Sequence, residues 1–348
     1  MSKYKIIDNL PRRDWESFLD KSGSGNLQQS FDYGEAAKMA DPHTNVLRLS
    51  AMDGRRPAGL IQARYNRRFG FGDRVYVGGA YGYGPSVSME DEKNISMELL
   101  RSLNLSAIKN RVSEASIYRL GADRLLEDLG YDLDEIANVY RVPLKETTER
   151  LWKNISHNKR KNIKKAQEQG AEVVHGRSYD DLVSFYNMLK ITAKRVGFSP
   201  PHFSYFDSFI KVFEASDKVT IFFVIFDHQP VAGVFVVVHG DIAYALAAGS
   251  LEEIWHIRPN DLLHWKAMEW AAKKGLSWYH LGFVSEPPPA EDSPAGGLWR
   301  WKRGWNGQFE KAHIYRKVYM PKFKKFFINP YKKISDIAQK AARAQISQ

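Results

Sequence analysis

The chain has 348 residues, of which 43% are hydrophobic and 26% charged, and this length predicts two globular domains rather than one small module. It contains no cysteine, which excludes disulfides, thiolate metal sites and cysteine nucleophiles; no apolar run is long enough for a signal-peptide core or a membrane span, so we expect a cytoplasmic protein. The net charge of +11, from 51 Lys and Arg against 40 Asp and Glu, favours an anionic partner such as nucleic acid, a phosphorylated substrate or a membrane surface.

Two hairpin patterns lie about half the chain length apart. Residues 53–59 and 227–233 share the spacing D-x4-A-G, and each segment lies between apolar runs typical of strands. In each half a helix-length segment and then a short apolar strand follow, at residues 91–111 and 115–120 and at residues 259–274 and 276–281. The order of elements is therefore duplicated.

This order is that of the acetyltransferase-like GNAT fold. We predict an α/β (α+β) protein with two tandem GNAT-like acyltransferase domains, each a mixed sheet flanked by helices. The boundaries are set at residues 1–146 and 147–320, because a long helical pattern starts at residue 147 or 148 with Thr148 as a candidate N-cap. Residues 321–348 form a separate tail.

A basic amphipathic helix is predicted at residues 153–165, where six Lys or Arg occur without an acid. We expect its polar face to follow the phosphate backbone of a nucleic acid. The cations concerned are Lys159, Arg160, Lys161, Lys164 and Lys165. A merely solvated helix face is the alternative, although such a face would ordinarily carry acids to relieve the like-charge repulsion.

Three tryptophans alternate with cations within residues 296–307. Each tryptophan can simply anchor the last strand in a core. Functionally, indoles can stack on a base or sugar, and a lysine held beside them in a low dielectric stabilises developing negative charge. Lys302, next to Trp301, is therefore the candidate catalytic cation.

The tail at residues 321–348 carries seven Lys or Arg against one Asp, with apolar residues every three or four positions. This pattern suits an interfacial helix that lies on anionic lipid at the inner face of a membrane, and it suits equally a surface helix packed on the body.

Common cofactor motifs are missing. The sequence has no Walker phosphate loop, no H-E-x-x-H zinc helix and no G-x-S-x-G elbow. The helix that would bind the pyrophosphate of coenzyme A opens with residues 257–263, which contain no glycine, and the literal loop match at residues 67–72 leads into a strand. We therefore expect no cofactor and no metal.

Short motifs along residues 10–320 resemble those of the FemXAB family, whose members transfer an amino acid from aminoacyl-tRNA to a peptidoglycan precursor. The resemblance rests on the order and spacing of the motifs more than on any single one. They are Gln29-Ser30-x-x-Tyr33, Gly84-Pro85, the R-x-x-I-x-K-A-x-x-x-G run at residues 160–170, Lys194-Arg195-x-Gly197, Ala248-Gly249-Ser250 and Trp301-Lys302.

The resemblance implies that residues 1–146 bind the acceptor and that residues 147–320 hold the donor, with Lys302 stabilising the transition state. The substrate-binding positions it implies are Tyr33, Lys38, Tyr83, Arg195 and Trp301. One departure concerns the acceptor: Glu35 stands near the family's substrate-binding lysine.

Transfer from an aminoacyl ester needs no metal, redox cofactor or covalent enzyme intermediate, because the ester is already activated. We predict an aminoacyltransferase, active as a monomer, that moves an amino acid from tRNA to an amine of a peptidoglycan precursor, either a UDP-muramyl peptide or a lipid-linked one. Three alternatives stay open: the same donor with a small secondary-metabolite acceptor, an acyl-coenzyme A-dependent N-acyltransferase, and an RNA- or membrane-binding module without turnover.

Overall fold

The structure, a computed structural model, describes residues 3–23, 25–68, 71–79, 83–284, 290 and 292–320. The predicted basic tail lies outside these ranges. Within them, no helix combines the length and the apolar character that crossing a bilayer requires.

The first half contains seven strands and four helices in its described part. The strands are β1 (Lys5–Ile7), β2 (Thr44–Asp53), β3 (Arg56–Arg68), β4 (Phe71–Val77), β5 (Ser86–Val87), β6 (Val112–Leu120) and β7 (Asp132–Pro143). The helices are α1 (Arg12–Ser22), α2 (Phe31–Ala40), α3 (Glu92–Lys109) and α4 (Arg124–Asp128).

The second half adds six strands and six helices in its described part. The strands are β8 (Glu172–Gly176), β9 (Val219–Phe226), β10 (Gln229–His239), β11 (Ile242–Ser250), β12 (Trp278–Val284) and β13 (Gln308–Val318). The helices are α5 (Thr148–Asn154), α6 (His157–Glu168), α7 (Tyr179–Val196), α8 (Phe203–Val212), α9 (Pro259–Lys273) and α10 (Pro294–Arg303).

Both predicted hairpins are present. Two-residue loops connect β2 to β3 and β9 to β10. In the second loop Asp227 and His228 have φ values of 48° and 61°, as the type I′ turn of a twisted hairpin requires. The helix and strand that follow each hairpin are α3 and β6 in the first half and α9 and β12 in the second, so the duplicated order is confirmed.

One mixed sheet joins the two halves. Its strands follow the order β1-β2-β3-β4-β6-β13-β7-β12-β11-β10-β9-β8, and β5 pairs with β3. The last strand, β13, pairs antiparallel with β6 and β7, and β7 pairs with β12. We call these four strands the seam. The predicted fold class is confirmed, but the two mixed sheets are continuous rather than separate, because each half inserts its last strand into the other and so leaves no open edge between them.

Helices cover both faces of the second half of the sheet. On one face Ile163 of α6 and Leu263 of α9 are fully buried in one core. On the other face Phe185 of α7 and Phe209 of α8 form a second core, which also contains Tyr33 of the first half. This shared core fixes α2 against α8.

The basic segment forms two helices instead of the single predicted one. The chain is extended at Ile155 and Ser156 between α5 and α6, and the Ser156 hydroxyl caps α6. Thr147 caps α5, where we expected Thr148. The interruption arises because Ser156 satisfies the free amides of a new helix start, a local preference that the helical spacing of apolar residues does not reveal.

Candidate active site

A buried lysine lies where two strands of the second half diverge. Lys302 is in the last turn of α10, and only 5% of its surface is exposed. Its Nζ donates hydrogen bonds of 2.7 Å to the carbonyl oxygens of Leu281 and of Phe283 on β12. An ammonium has three N–H donors. Two of them anchor Lys302, and no described residue accepts the third.

The backbone of β12 creates this double acceptor. β11 and β12 run parallel and pair over Ile242–Tyr244 of β11, the only pairing between them in the described ranges. Beyond it, Gly282 has a φ of 75°, which glycine adopts without steric cost, and its amide donates to Nδ1 of His280 at 3.0 Å. This irregularity lets the carbonyls on both sides of Gly282 converge on Lys302.

Next to β12, Lys302 carries a positive charge at neutral pH and His280 carries none. Burial lowers the pKa of Lys302 to about 8, so the ammonium is still mostly protonated at neutral pH. Burial, together with the charges of Lys302 and Arg141, lowers the pKa of His280 to about 3. The neutral imidazole can therefore accept the Gly282 amide, and Lys302 carries its charge in a low dielectric, where it acts most strongly on a developing anion.

The position of Lys159 corrects one prediction. Its Nζ forms an ion pair with the Asp261 carboxylate at 2.5 Å and lies 4.2 Å and 4.5 Å from the ring centroids of Trp301 and Trp305. Burial lowers the pKa of Lys159 to about 8. The prediction that Lys159 contacts nucleic acid is wrong, because its side chain points from α6 into the core beside α9 and α10.

Asp261 organises the surroundings of this pair. Its Oδ1 also accepts the indole N–H of Trp301 at 2.7 Å, and its Oδ2 accepts the Asn162 amide at 2.7 Å. The indole N–H of Trp301 is thus satisfied within the protein. The centroid of its ring lies 4.8 Å from that of the His264 ring. Trp301 is half-buried and packs against the core of the second half, and its contact with substrate stays a prediction.

The start of α9 is unsuited to a pyrophosphate. Its first residue is Pro259, which has no amide N–H to donate, and the Asp261 carboxylate occupies its first turn. A helix N-terminus attracts an anion through free amides and the helix dipole. Here the first residue has no amide N–H to offer, and the Asp261 carboxylate in the first turn is bound by the side chains of Lys159, Trp301 and Asn162.

The remaining basic residues of α6 differ in accessibility. Lys161, Lys164 and Lys165, which we call the α6 lysines, are exposed and form no ion pair within the described ranges. Arg160 is half-buried and binds the end of α5 instead. Its Nη1 donates to the carbonyl oxygens of Trp152, Lys153 and Ile155.

Two of the predicted substrate-binding residues, Tyr33 and Tyr83, differ in burial. Tyr33 is 3% exposed, and its ring lies 5.7 Å from that of Phe209. Tyr83 is half-buried, its hydroxyl has no hydrogen-bond partner among the described residues, and burial and the nearby Glu310 raise its pKa. Tyr83 therefore offers an unused hydroxyl near the seam.

The other two lie further out. Lys38 is exposed and pairs with Glu35 at 2.9 Å. The Arg195 guanidinium lies 4.2 Å from a ring centroid of Trp255 and donates to the Ser250 carbonyl at 3.4 Å. The structure thus gives Lys38 and Arg195 protein partners, and their contact with substrate stays a prediction.

An aromatic contact connects the first half to the buried lysine. Tyr118 on β6 stacks on Phe283, with ring centroids 6.1 Å apart and planes at 11°. The Phe283 carbonyl accepts from Lys302, and the Tyr118 carbonyl accepts from the Gly84 amide at 3.2 Å. The segment at Tyr83 and the ammonium of Lys302 are therefore linked through one stacked pair.

Comparison with known proteins supports the predicted GNAT-like fold. Residues 153–321 match the family described as "Acetyltransferase (GNAT) domain". The solved structure of FemX is 15% identical to this chain with a TM-score of 0.77, and the match covers 93% of this chain and 99% of FemX. The chain has the FemX-like tandem GNAT fold. The second half is an acyltransferase domain of the GNAT type, as predicted.

Other structures share the FemX-like fold over most of their length. A tandem GNAT protein from the clavulanic acid biosynthesis pathway is 11% identical, with a TM-score of 0.59 and coverage of 90% of this chain and 98% of its own. The C-terminal domain of a putative lysylphosphatidylglycerol synthetase from Agrobacterium fabrum is 12% identical, with a TM-score of 0.55 and coverage of 88% and 91%. Comparison with curated proteins gave no match.

Sequence reasoning missed the partners of the buried charges. Asp261 lies within the helix opening that we inspected for glycines, but its pairing with Lys159 joins positions 102 residues apart. Arg141 and Glu310 form an ion pair across β7 and β13. No local pattern identifies such pairs, because they depend on which strands and helices become neighbours.

Proposed function

We propose that the protein transfers the aminoacyl group of an aminoacyl-tRNA to an amine of an acceptor bound at the seam, with Lys302 stabilising the oxyanion. The observation that carries this proposal is the buried Lys302 ammonium, which two carbonyl groups fix while none of the described residues accepts its third N–H. A charge fixed before the reaction stabilises the transition state without the cost of reorganising solvent.

The reaction needs only positioning and this charge. The acceptor amine attacks the ester carbonyl carbon, and the carbonyl oxygen becomes the oxyanion that receives the third N–H of Lys302. When the tetrahedral intermediate collapses, the bond to the ribose oxygen of tRNA breaks and the amide remains. The amine loses a proton and the ribose oxygen gains one, so the proton balance closes without a redox partner or a covalent enzyme intermediate.

The α6 lysines support tRNA as the donor. They present three exposed cations on the outer face of α6, and no residue in the described part of the chain forms an ion pair with them, which suits a phosphate backbone. The start of α9 counts against coenzyme A, because its first residue, Pro259, has no amide N–H to donate to the pyrophosphate of that cofactor.

The acceptor that we propose is a peptidoglycan precursor, either a UDP-muramyl peptide or a lipid-linked one, because the fold is similar to that of FemX over nearly the whole of both chains. A small amine metabolite is the second acceptor class, and the tandem GNAT protein of clavulanic acid biosynthesis favours it. Acyl-coenzyme A transfer is the second donor class, which the acetyltransferase description of residues 153–321 favours.

A label-transfer assay tests the donor. Purified protein is incubated with bulk tRNA charged with radiolabelled amino acids, or with labelled acetyl-coenzyme A, each with UDP-muramyl pentapeptide and with a panel of small amines. We expect label to move from tRNA and not from the thioester. Transfer from acetyl-coenzyme A alone would overturn the proposal, and transfer from tRNA to small amines alone would keep the donor and replace the acceptor.

A further inference from the structure

The two carbonyl groups that hold Lys302 lie closer together than a regular strand allows. The Nζ of Lys302 is 2.7 Å from the carbonyl oxygens of both Leu281 and Phe283. These two oxygens are therefore at most about 5.4 Å apart, which is twice the length of one hydrogen bond. In an extended strand, residues i and i+2 are separated by roughly 6.6 Å. β12 must therefore be shortened by about 1 Å at this point for both carbonyls to reach one ammonium.

A bulge in β12 supplies this shortening. His280 pairs with Arg141 and Phe283 pairs with Val139, so a step of three residues along β12 lies opposite a step of two residues along β7. Gly282 lies inside the bulge, and its φ of 75° takes the chain out of the extended conformation. A bulge bends its strand and redirects the groups that it carries. Here the carbonyls before and after Gly282 are brought together.

His280 holds the bulge through a side-chain hydrogen bond. Its Nδ1 accepts the amide of Gly282 at 3.0 Å, so the residue with the unusual φ is bonded to an imidazole. A neutral imidazole that accepts at Nδ1 carries its proton on Nε2. Burial, together with the charges of Lys302 and Arg141, lowers the pKa of His280 to about 3. The acceptor is therefore present at neutral pH.

Packing fixes the ring of His280 at the point where β11 and β12 separate. His280 and Tyr244 form the last pair of the parallel register in the described ranges, and their ring centroids are 5.3 Å apart with planes at 31°. The hydroxyl of Tyr244 accepts the Leu27 amide from the first half at 3.4 Å. His280 is 4% exposed. The imidazole is therefore held against β11, and the Gly282 amide is held by the imidazole.

We propose that His280 is a positioning residue for Lys302: by accepting the Gly282 amide, it keeps both carbonyl groups on the ammonium and so fixes the direction of the third N–H. Two anchors stop the ammonium from rotating, whereas a single anchor leaves two N–H donors without a fixed direction. His280 acts through Gly282 and not on the substrate. The effect on transfer rests on the proposed function, but the state of Lys302 is measurable without any substrate.

Variants of the full chain separate the hydrogen-bond acceptor of His280 from its ring. His280→Phe keeps an aromatic ring beside Tyr244 and removes Nδ1. His280→Asn places an amide Oδ1, which is an acceptor, at the same number of bonds from the backbone as Nδ1. Gly282→Ala acts from the other side, because alanine disfavours a positive φ. The matched control is His175→Phe, a substitution at an exposed position of β8.

The titration of Lys302 reports its anchors directly. In protein that contains ¹³C-labelled lysine, the NMR signal of Lys302 is the one that Lys302→Arg lacks, and its pH dependence gives the pKa. Losing one carbonyl acceptor disfavours the charged form. We therefore expect the pKa of Lys302 to fall by about one pH unit or more in His280→Phe and in Gly282→Ala. It should keep the wild-type value in His280→Asn and in His175→Phe.

Single-turnover transfer from saturating charged tRNA measures the consequence for the reaction. We expect His280→Phe to be about 10- to 100-fold slower, because displacing a catalytic group by about 1 Å costs up to that factor, with the affinity for tRNA unchanged. His280→Asn should restore the rate. An unchanged Lys302 titration in the folded variants His280→Phe and Gly282→Ala would overturn the inference, and so would a wild-type transfer rate in His280→Phe. Absent transfer in the wild type, with the titrations shifted as expected, would refute the proposed function alone.

Discussion

The Lys159 ammonium and the Asp261 carboxylate form a buried ion pair between α6 and the first turn of α9. The same carboxylate binds the Trp301 indole at 2.7 Å, so three helices meet at one charge. This pair joins α6 to α9 and so contributes to the stability of the second half.

We expect Asp261→Asn to destabilise the protein by about 3–5 kcal/mol, because it leaves the Lys159 ammonium buried without a counter-charge. Urea denaturation followed by tryptophan fluorescence measures this change. Asp217→Asn is the control, since Asp217 pairs with Lys274 at the exposed surface and should cost at most about 1 kcal/mol. Equal effects of the two substitutions would contradict the structural role of the buried pair.

Turnover should depend on pH through Lys302. Its pKa is lowered to about 8, so the protonated form that stabilises an oxyanion is present below that pH and is lost above it. The effect of the same group on stability has the opposite sign. Between pH 8 and the ordinary pKa of a lysine, the unfolded chain binds a proton that the folded protein does not. The free energy of unfolding therefore rises with pH in this window.

The rate of single-turnover transfer between pH 6 and 9.5 measures the effect on turnover. Lys302→Arg keeps its charge over this range and serves as the reference, so the ratio of wild-type rate to variant rate removes the titration of the acceptor amine. We expect this ratio to fall above pH 8, about tenfold per pH unit. A ratio that does not vary with pH would argue against the protonated lysine as the active form.

The α6 lysines should account for much of the tRNA affinity. Replacing Lys161, Lys164 and Lys165 with glutamine should weaken binding and reduce the slope of log K against log salt by about 2, because each phosphate contact contributes about 0.7–0.9. Filter binding at several salt concentrations gives the slope. The control replaces Lys5, Lys93 and Lys109, three exposed lysines of the first half, and should leave the slope unchanged.

Local sequence patterns predicted the hairpins and the helices between strands, because turn residues and apolar periodicity act over short distances. They could not predict that β13 lies between β6 and β7, because the sequence of a strand does not specify which other strands pair with it. The candidate active site shows the same contrast between features set by neighbouring residues and features set by long-range contacts. Lys302 stood out beside its tryptophans, whereas the pairing of Lys159 with Asp261 depends on two helices that are far apart in the sequence.

The most direct test of the central claim compares Lys302→Met with Lys311→Met, a substitution at an exposed lysine of β13, in single-turnover transfer from charged tRNA. We expect Lys302→Met to slow transfer by about 10²–10³, as does removal of an oxyanion donor, with its affinity for tRNA and its melting temperature close to those of Lys311→Met. Equal transfer rates in the two folded variants would contradict the assignment of the oxyanion to Lys302.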